Sequence, residues 1–226
     1  MARQPSRTRR RRPTAAGARR PSGGGKRYDV FLNVPFDPPY EPLLLALIAG
    51  LTAFGLTPRS VLEIPTQQDR LRRLFHLIEE CEASVHDLSR TGSYGRAPRC
   101  ARFNMPFELG LAVSKALGDR THSWVVLESQ PYRVQKSLSD INGFDPFIHH
   151  GTARGALRAV AEAFDRPSGS PPMSDLVRIY RTLRTIARDL KAQDGAHTVF
   201  NRRHFGQLVL AGQQTAVRLG LVPQRA

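Results

Sequence analysis

Cysteine is nearly absent from this 226-residue chain. Cys81 and Cys100 are the only two and form no CxxC pair, which argues against a disulfide framework and against a zinc site, so no metal is expected. No apolar run approaches the roughly 20 residues needed to cross a bilayer, so no membrane partner is expected. The Arg9-Arg10-Arg11-Arg12 run is not followed by the hydrophobic region of an export signal. These absences predict a cytoplasmic protein. No internal repeat is evident. Acid is missing too, but only locally: residues 1–26 carry nine Lys or Arg and no Asp or Glu, so of the formal +15 only +6 remains for the rest. Rich otherwise in Pro, Ser and Gly, residues 1–26 cannot bury apolar area and are expected to form a disordered basic tail. Such a tail is either a solvated extension or a means of neutralising nucleic-acid phosphates without reading sequence. Gly23-Gly24-Gly25-Lys26 lacks the spacing and the preceding strand of a phosphate-binding loop.

What is present is a regular alternation. Residues 28–36 read as a buried strand, 42–54 as a largely apolar helix closed by Gly55, and 56–64 as a short strand. Residues 69–82 follow as an amphipathic helix with Leu71, Leu74, Phe75 and Ile78 at helical spacing, and 83–88 as the third strand. A helix over 103–117, a strand over 123–127, a short strand over 145–149 and a helix over 152–164 complete the series. Strands alternating with helices give right-handed βαβ units, hence an α/β fold: a flavodoxin-like, doubly wound parallel sheet of about five strands over residues 27–166. Residues 167–173 read as a Pro- and Ser-rich linker. Residues 174–226 form a helical appendage, with Ser174 as the cap of its first helix and Leu176, Ile179, Leu183, Ala187 and Leu190 on one face. Arg178, Arg181, Arg184, Arg188 and Lys191 line the other face. The appendage is too small for its own core, so it is expected to pack on the main domain or on another subunit of a homo-oligomer.

In open α/β sheets ligands bind beyond the carboxyl ends of the strands, and polar residues gather there. Asn33 and Asp37 follow the first strand, Asp87 ends the third, and Asp140 lies after the fourth. Asn104-Met105-Pro106-Phe107-Glu108-Leu109-Gly110 places a carboxylate inside the first turns of an otherwise apolar helix. Pro106 suits a first helical position, making Asn104 or Met105 the cap and setting Glu108 near the helix N-terminus. Glu108 then either complements the helix dipole or belongs to a site.

The segments Val30-Phe31-Leu32-Asn33-Val34-Pro35-Phe36-Asp37, His86-Asp87-Leu88-Ser89-Arg90 and Phe103 to Gly110 resemble a bacterial family of TIR-like nucleotide-binding proteins. More distantly, Asp87 with Glu108-Leu109-Gly110 is similar to nucleoside 2-deoxyribosyltransferases, although those enzymes carry an Asp and small residues where Arg102-Phe103-Asn104-Met105 stand here. The resemblance spans about residues 28–165. It implies that Glu108 is the catalytic carboxylate and Asp87 the ribose-positioning acid; beside them Asn33, Asp37 and Asp140, from their places after strands, and Asn104 are the candidate substrate-binding residues. It further implies a nucleotide ligand, NAD or a related nucleotide, as substrate and no resident cofactor.

The chemistry is self-consistent. Breaking an N-glycosidic bond passes through an oxocarbenium-like centre, which a carboxylate stabilises or captures. A cationic nicotinamide leaves without a proton, whereas a neutral base calls for a donor, for which His86, Asp140 and Tyr94 are candidates. Strand alternation sets His86 on the side opposite Val85 and Asp87. Two functions follow: a nucleotide-directed N-glycosidase or glycosyltransferase, or a module that binds and senses a nucleotide without cleaving it.

Overall fold

Asp29-Val30-Phe31-Leu32-Asn33 has no side to turn to water, and it forms strand β1 (Asp29–Asn33), buried at every position. The structure, a computed structural model, describes residues 28–64, 69–94, 100–119, 122–167 and 169–224. The basic tail and the side chain of Tyr94 therefore lie outside the described residues. In chain order the elements are β1, α1 (Glu41–Ala53), β2 (Thr57–Ser60), α2 (Arg70–Glu80), β3 (Ala83–Asp87), β4 (Ser93–Tyr94), β5 (Cys100–Ala101), α3 (Asn104–Gly118), β6 (Ser123–Glu128), α4 (Arg133–Ser137), β7 (Phe147–Ile148), α5 (Ala153–Ala163), α6 (Met173–Asp194) and α7 (Arg202–Arg218). Five strands lie parallel in the order β2-β1-β3-β6-β7, the doubly wound arrangement that the alternation predicts, and β4 pairs with β5 as a separate antiparallel hairpin. Among the described residues no helix is long and apolar enough to cross a membrane.

Helix α1 governs how the layers stack. Its residues from Leu43 to Ala53 are all buried, so it is apolar around its whole circumference and must be covered on every side. The sheet covers one side, through Val30, Leu32, Ala83 and Val85, and α5, α6 and α7 cover the others, all in one continuous apolar cluster. Leu176, Ile179 and Leu183 of α6 are fully buried there, and burying each contributes about 1.5–3 kcal/mol. The close approach of α7 needs a glycine: a Cβ on Gly212 would stand 2.8 Å from Thr52 Oγ1 of α1. Residues 173–218 are thus part of the main core. Helix α6 starts at Met173 with Pro172 as cap, so Ser174 is its second residue and makes no cap. Lys191 leaves the expected basic stripe to bond Glu41 of α1 at 2.6 Å.

On the opposite face of the sheet, α2 and α3 close a smaller cluster of Phe31, Leu74, Leu77, Ile78, Cys81 and Ala112. Their junction is pinned by Lys115, whose Nζ donates to the carbonyls of Ile78 (3.0 Å), Glu79 (2.6 Å) and Cys81 (2.9 Å) at the end of α2. A cation there satisfies orphan carbonyls and favours the negative end of the dipole. Lys115→Met is therefore expected to lower stability by about 2 kcal/mol, since it deletes charge-assisted bonds while keeping the apolar stem. A urea midpoint measurement checks this, with faster amide exchange over residues 78–82 as the local signature.

Candidate functional site

Parallel strands bring the carboxyl ends of β1, β3, β6 and β7 to one edge, and the expected residues gather there in two separate layers. Along β3, Ala83 and Val85 face α1, and Asp87 continues that side; His86 faces Phe31, with ring centroids 6.1 Å apart and planes at 70°. Asp87 is fully buried. Its Oδ1 accepts from the Ser89 N–H at 2.8 Å, its Oδ2 accepts from the Tyr40 hydroxyl, and His149 Nε2 stands 3.2 Å from the same Oδ2, off the line of a straight hydrogen bond. His149 Nδ1 accepts from the Gly151 N–H at 3.0 Å, which leaves Nε2 as the protonated nitrogen facing Asp87. Burial pushes the Asp87 carboxyl up, but His149, Tyr40 and the Ser89 N–H outweigh it and hold the group below its ordinary value. Burial, then the Asp87 charge, raises the Tyr40 phenol far above its ordinary value, so it stays a donor.

The second layer lies on the α2–α3 side. Asn33 Nδ2 donates to the Met105 carbonyl at 2.7 Å and to His86 Nδ1 at 2.9 Å, tying β1 to β3 and α3. His86 is fully buried, and burial lowers it to about 3, so its ring is neutral. Glu108 projects from the second turn of α3, on the buried face shared by Met105, Leu109 and Ala112, and is 7% exposed. No described group donates it a hydrogen bond or pairs with it. Burial raises it to about 7, with the charge of Arg70 opposing.

The start of α3 differs from expectation. The cap is Phe103, without a side-chain bond, and Asn104, Met105 and Pro106 are the first three residues. Proline is tolerated at the third position because its missing N–H would have had no intrahelical partner. Asn104 is exposed, and Asp140 is exposed in a 3-10 turn, Ser139–Ile141, beyond α4. Asp37 binds Arg102 at 2.8 Å and Arg90 at 3.3 Å. The edge thus does not gather the expected acids into one cluster: Asp87 belongs to the α1 side, Glu108 and Asn33 to the other, and Asp37 to an arginine pair on the rim.

Three partners in this arrangement went unnoticed in the sequence: Tyr40, His149 and Glu128. Each had a signal in its place, at the start of α1 or directly at a strand end. Buried Glu128 closes β6, accepting from the Ser129 N–H at 2.6 Å and Ser129 Oγ at 3.0 Å, with Arg133 at 3.5 Å. Arg133 also donates to the Ser89 carbonyl at 2.7 Å, adding a third arginine to the rim. Among the described residues no group of three His, Cys, Asp or Glu is placed to hold a metal. No family model, curated protein or solved structure matches the chain significantly. Fold and site together define a doubly wound α/β domain with an arginine-bearing edge and, among the described residues, a buried carboxyl without a partner.

Proposed function

We propose that this domain binds a nucleotide at the carboxyl edge of its sheet and breaks an N-glycosidic bond, with Glu108 as the reacting carboxylate. The observation that carries this reading is Glu108 itself: a carboxyl that is buried, without a partner, and poised near neutrality. Burying an unpaired acid costs stability, and such groups concentrate where chemistry needs them. Ionised, Glu108 stabilises an oxocarbenium-like carbon or forms a covalent ester with it, from which water or another acceptor takes the sugar. A nicotinamide nucleotide such as NAD suits a site with one carboxylate, because its cationic base leaves neutral and needs no proton. Arg90, Arg102 and Arg133 on the rim suit the phosphates of such a ligand. Asp87 is not assigned to the ribose in this reading, since both its oxygens are engaged within the fold.

Incubating the full chain with NAD and a panel of nucleosides, and following released base by chromatography, tests the assignment. Glu108→Gln is expected to lower base release by roughly 100-fold or more while nucleotide binding survives. Wild-type kcat/KM is expected to rise with pH and level off above about 7, as the carboxylate forms. A second readout needs no substrate. A group raised in the folded state contributes its stability below the unfolded value of 4.5 and loses it as pH climbs through about 7. Glu108→Gln is therefore expected to match wild type near pH 4 and to melt roughly 5 °C higher near pH 8. Undiminished base release by the variant would remove Glu108 from the reaction.

The second reading is a sensor that binds a nucleotide without cleaving it. The depth of Glu108, at 7% exposure, favours it. Calorimetric binding of NAD by wild type with no base released over the same incubation selects this reading over the first.

A further inference from the structure

Nine large apolar side chains stand exposed among the described residues, and Leu71, Phe75, Phe103, Phe107 and Leu117 all belong to α2, α3 or the cap of α3. Scattered exposed apolar residues need no explanation, but two side by side in one groove do. On α2, Leu71 and Phe75 line a shallow groove with Asp69, Arg72, His76 and Glu79. The charges of α2 oppose its own dipole: Arg70, Arg72 and Arg73 crowd the N-terminal end, Glu79 and Glu80 the C-terminal end, and the first turn has no acid and the last no base. What this order does suit is a copy of itself running the other way, because an antiparallel partner lays its glutamates over the arginines and its arginines over the glutamates.

We infer that α2 pairs with α2 of a second copy of this chain across a two-fold axis near Phe75. Arg72 and Glu79 are equidistant from the midpoint between Phe75 and His76, so each Arg72 meets Glu79 of the other copy, and the two Phe75 rings meet at the axis. Within one chain these charges hold only exposed contacts, Arg72 to Asp69 at 3.0 Å and His76 to Glu79 at 3.3 Å, which contribute little and give way readily. The arrangement is isologous and closes on itself, so it yields a dimer and no filament.

Sedimentation equilibrium on the full chain, from about 1 to 100 μM, tests it. Wild type is expected to show a concentration-dependent species of twice the 25.2 kDa chain mass. Phe75→Asp is expected to raise Kd roughly tenfold or more, and Arg72→Glu and Glu79→Arg singly to do the same, since each swap sets like charges together twice in the dimer. The double variant Arg72→Glu/Glu79→Arg is expected to recover Kd to within about threefold of wild type, because the pairing is restored with its signs exchanged. All three positions are exposed, and circular dichroism confirms that each variant is folded. A monomeric wild type across the range overturns the inference. So does a dimer whose Kd is indifferent to Phe75→Asp, or a double variant that stays as dissociated as the singles.

Discussion

Gly155→Ala is expected to cost more than about 4 kcal/mol, a large part of the 5–15 kcal/mol that holds a domain of this kind together. A Cβ at this position would stand 1.9 Å from the carbonyl oxygen of His149, 2.6 Å from its carbonyl carbon and 2.9 Å from its Cα. All three are backbone atoms, so no rotamer change relieves the overlap. The loop cannot retreat either, because His149 lies against Asp87 and its carbonyl accepts from the Thr152 N–H at 3.1 Å. Nor can α5 slide, since Thr152 caps it through the Gly155 N–H at 3.0 Å and Ala156, Leu157, Ala159 and Val160 are buried beneath it. Gly206→Ala makes the matching control: its added methyl meets nothing within 4 Å, and it is expected to stabilise α7 by about 0.5–1 kcal/mol. Urea unfolding of both variants measures the difference.

Asp87→Ala is the second large effect, expected at about 3–5 kcal/mol. It leaves the Tyr40 hydroxyl and the Ser89 N–H without an acceptor in a buried site and takes the facing charge from His149, and the cost of such orphans exceeds the worth of any single bond. The pH dependence has a definite sign. Because the folded carboxyl is held below its ordinary 3.8, its contribution is present above that value and lost as pH falls through the folded one. The gap between wild type and variant is thus expected to be flat through neutrality and to close only in acid. Thermal melts across the pH range check both size and shape.

How much of this was legible in the sequence depended on length and locality. The strands β1, β3 and β6 and the long helices declared themselves through periodicity, and their order alone predicted the parallel sheet. The hairpin β4–β5, two residues a side, and the five-residue α4 were too short to leave a pattern. The extent of α3 was readable to within a residue but its cap was not, because proline is as free of a bonding demand at the third helical position as at the first. The burial of Glu108 was readable, since the spacing 105, 108, 109, 112 puts it among the apolar residues of one helical face. The company of Asp87 was not: Tyr40 and His149 lie 47 and 62 positions away along the chain, and only the closed sheet brings them to one oxygen. Strand alternation then split the expected cluster, because neighbours on one edge point through opposite faces.

The all-round burial of α1 also sets an order of events during synthesis. This helix is made before the residues that shield its outer side, which run from Leu176 to Ala216. At about 5–20 residues per second, some 120 residues pass in roughly 6–24 s between the two. Through that interval a greasy rod stands half dressed. Helices α6 and α7 are thus the clasp that completes the cover of α1.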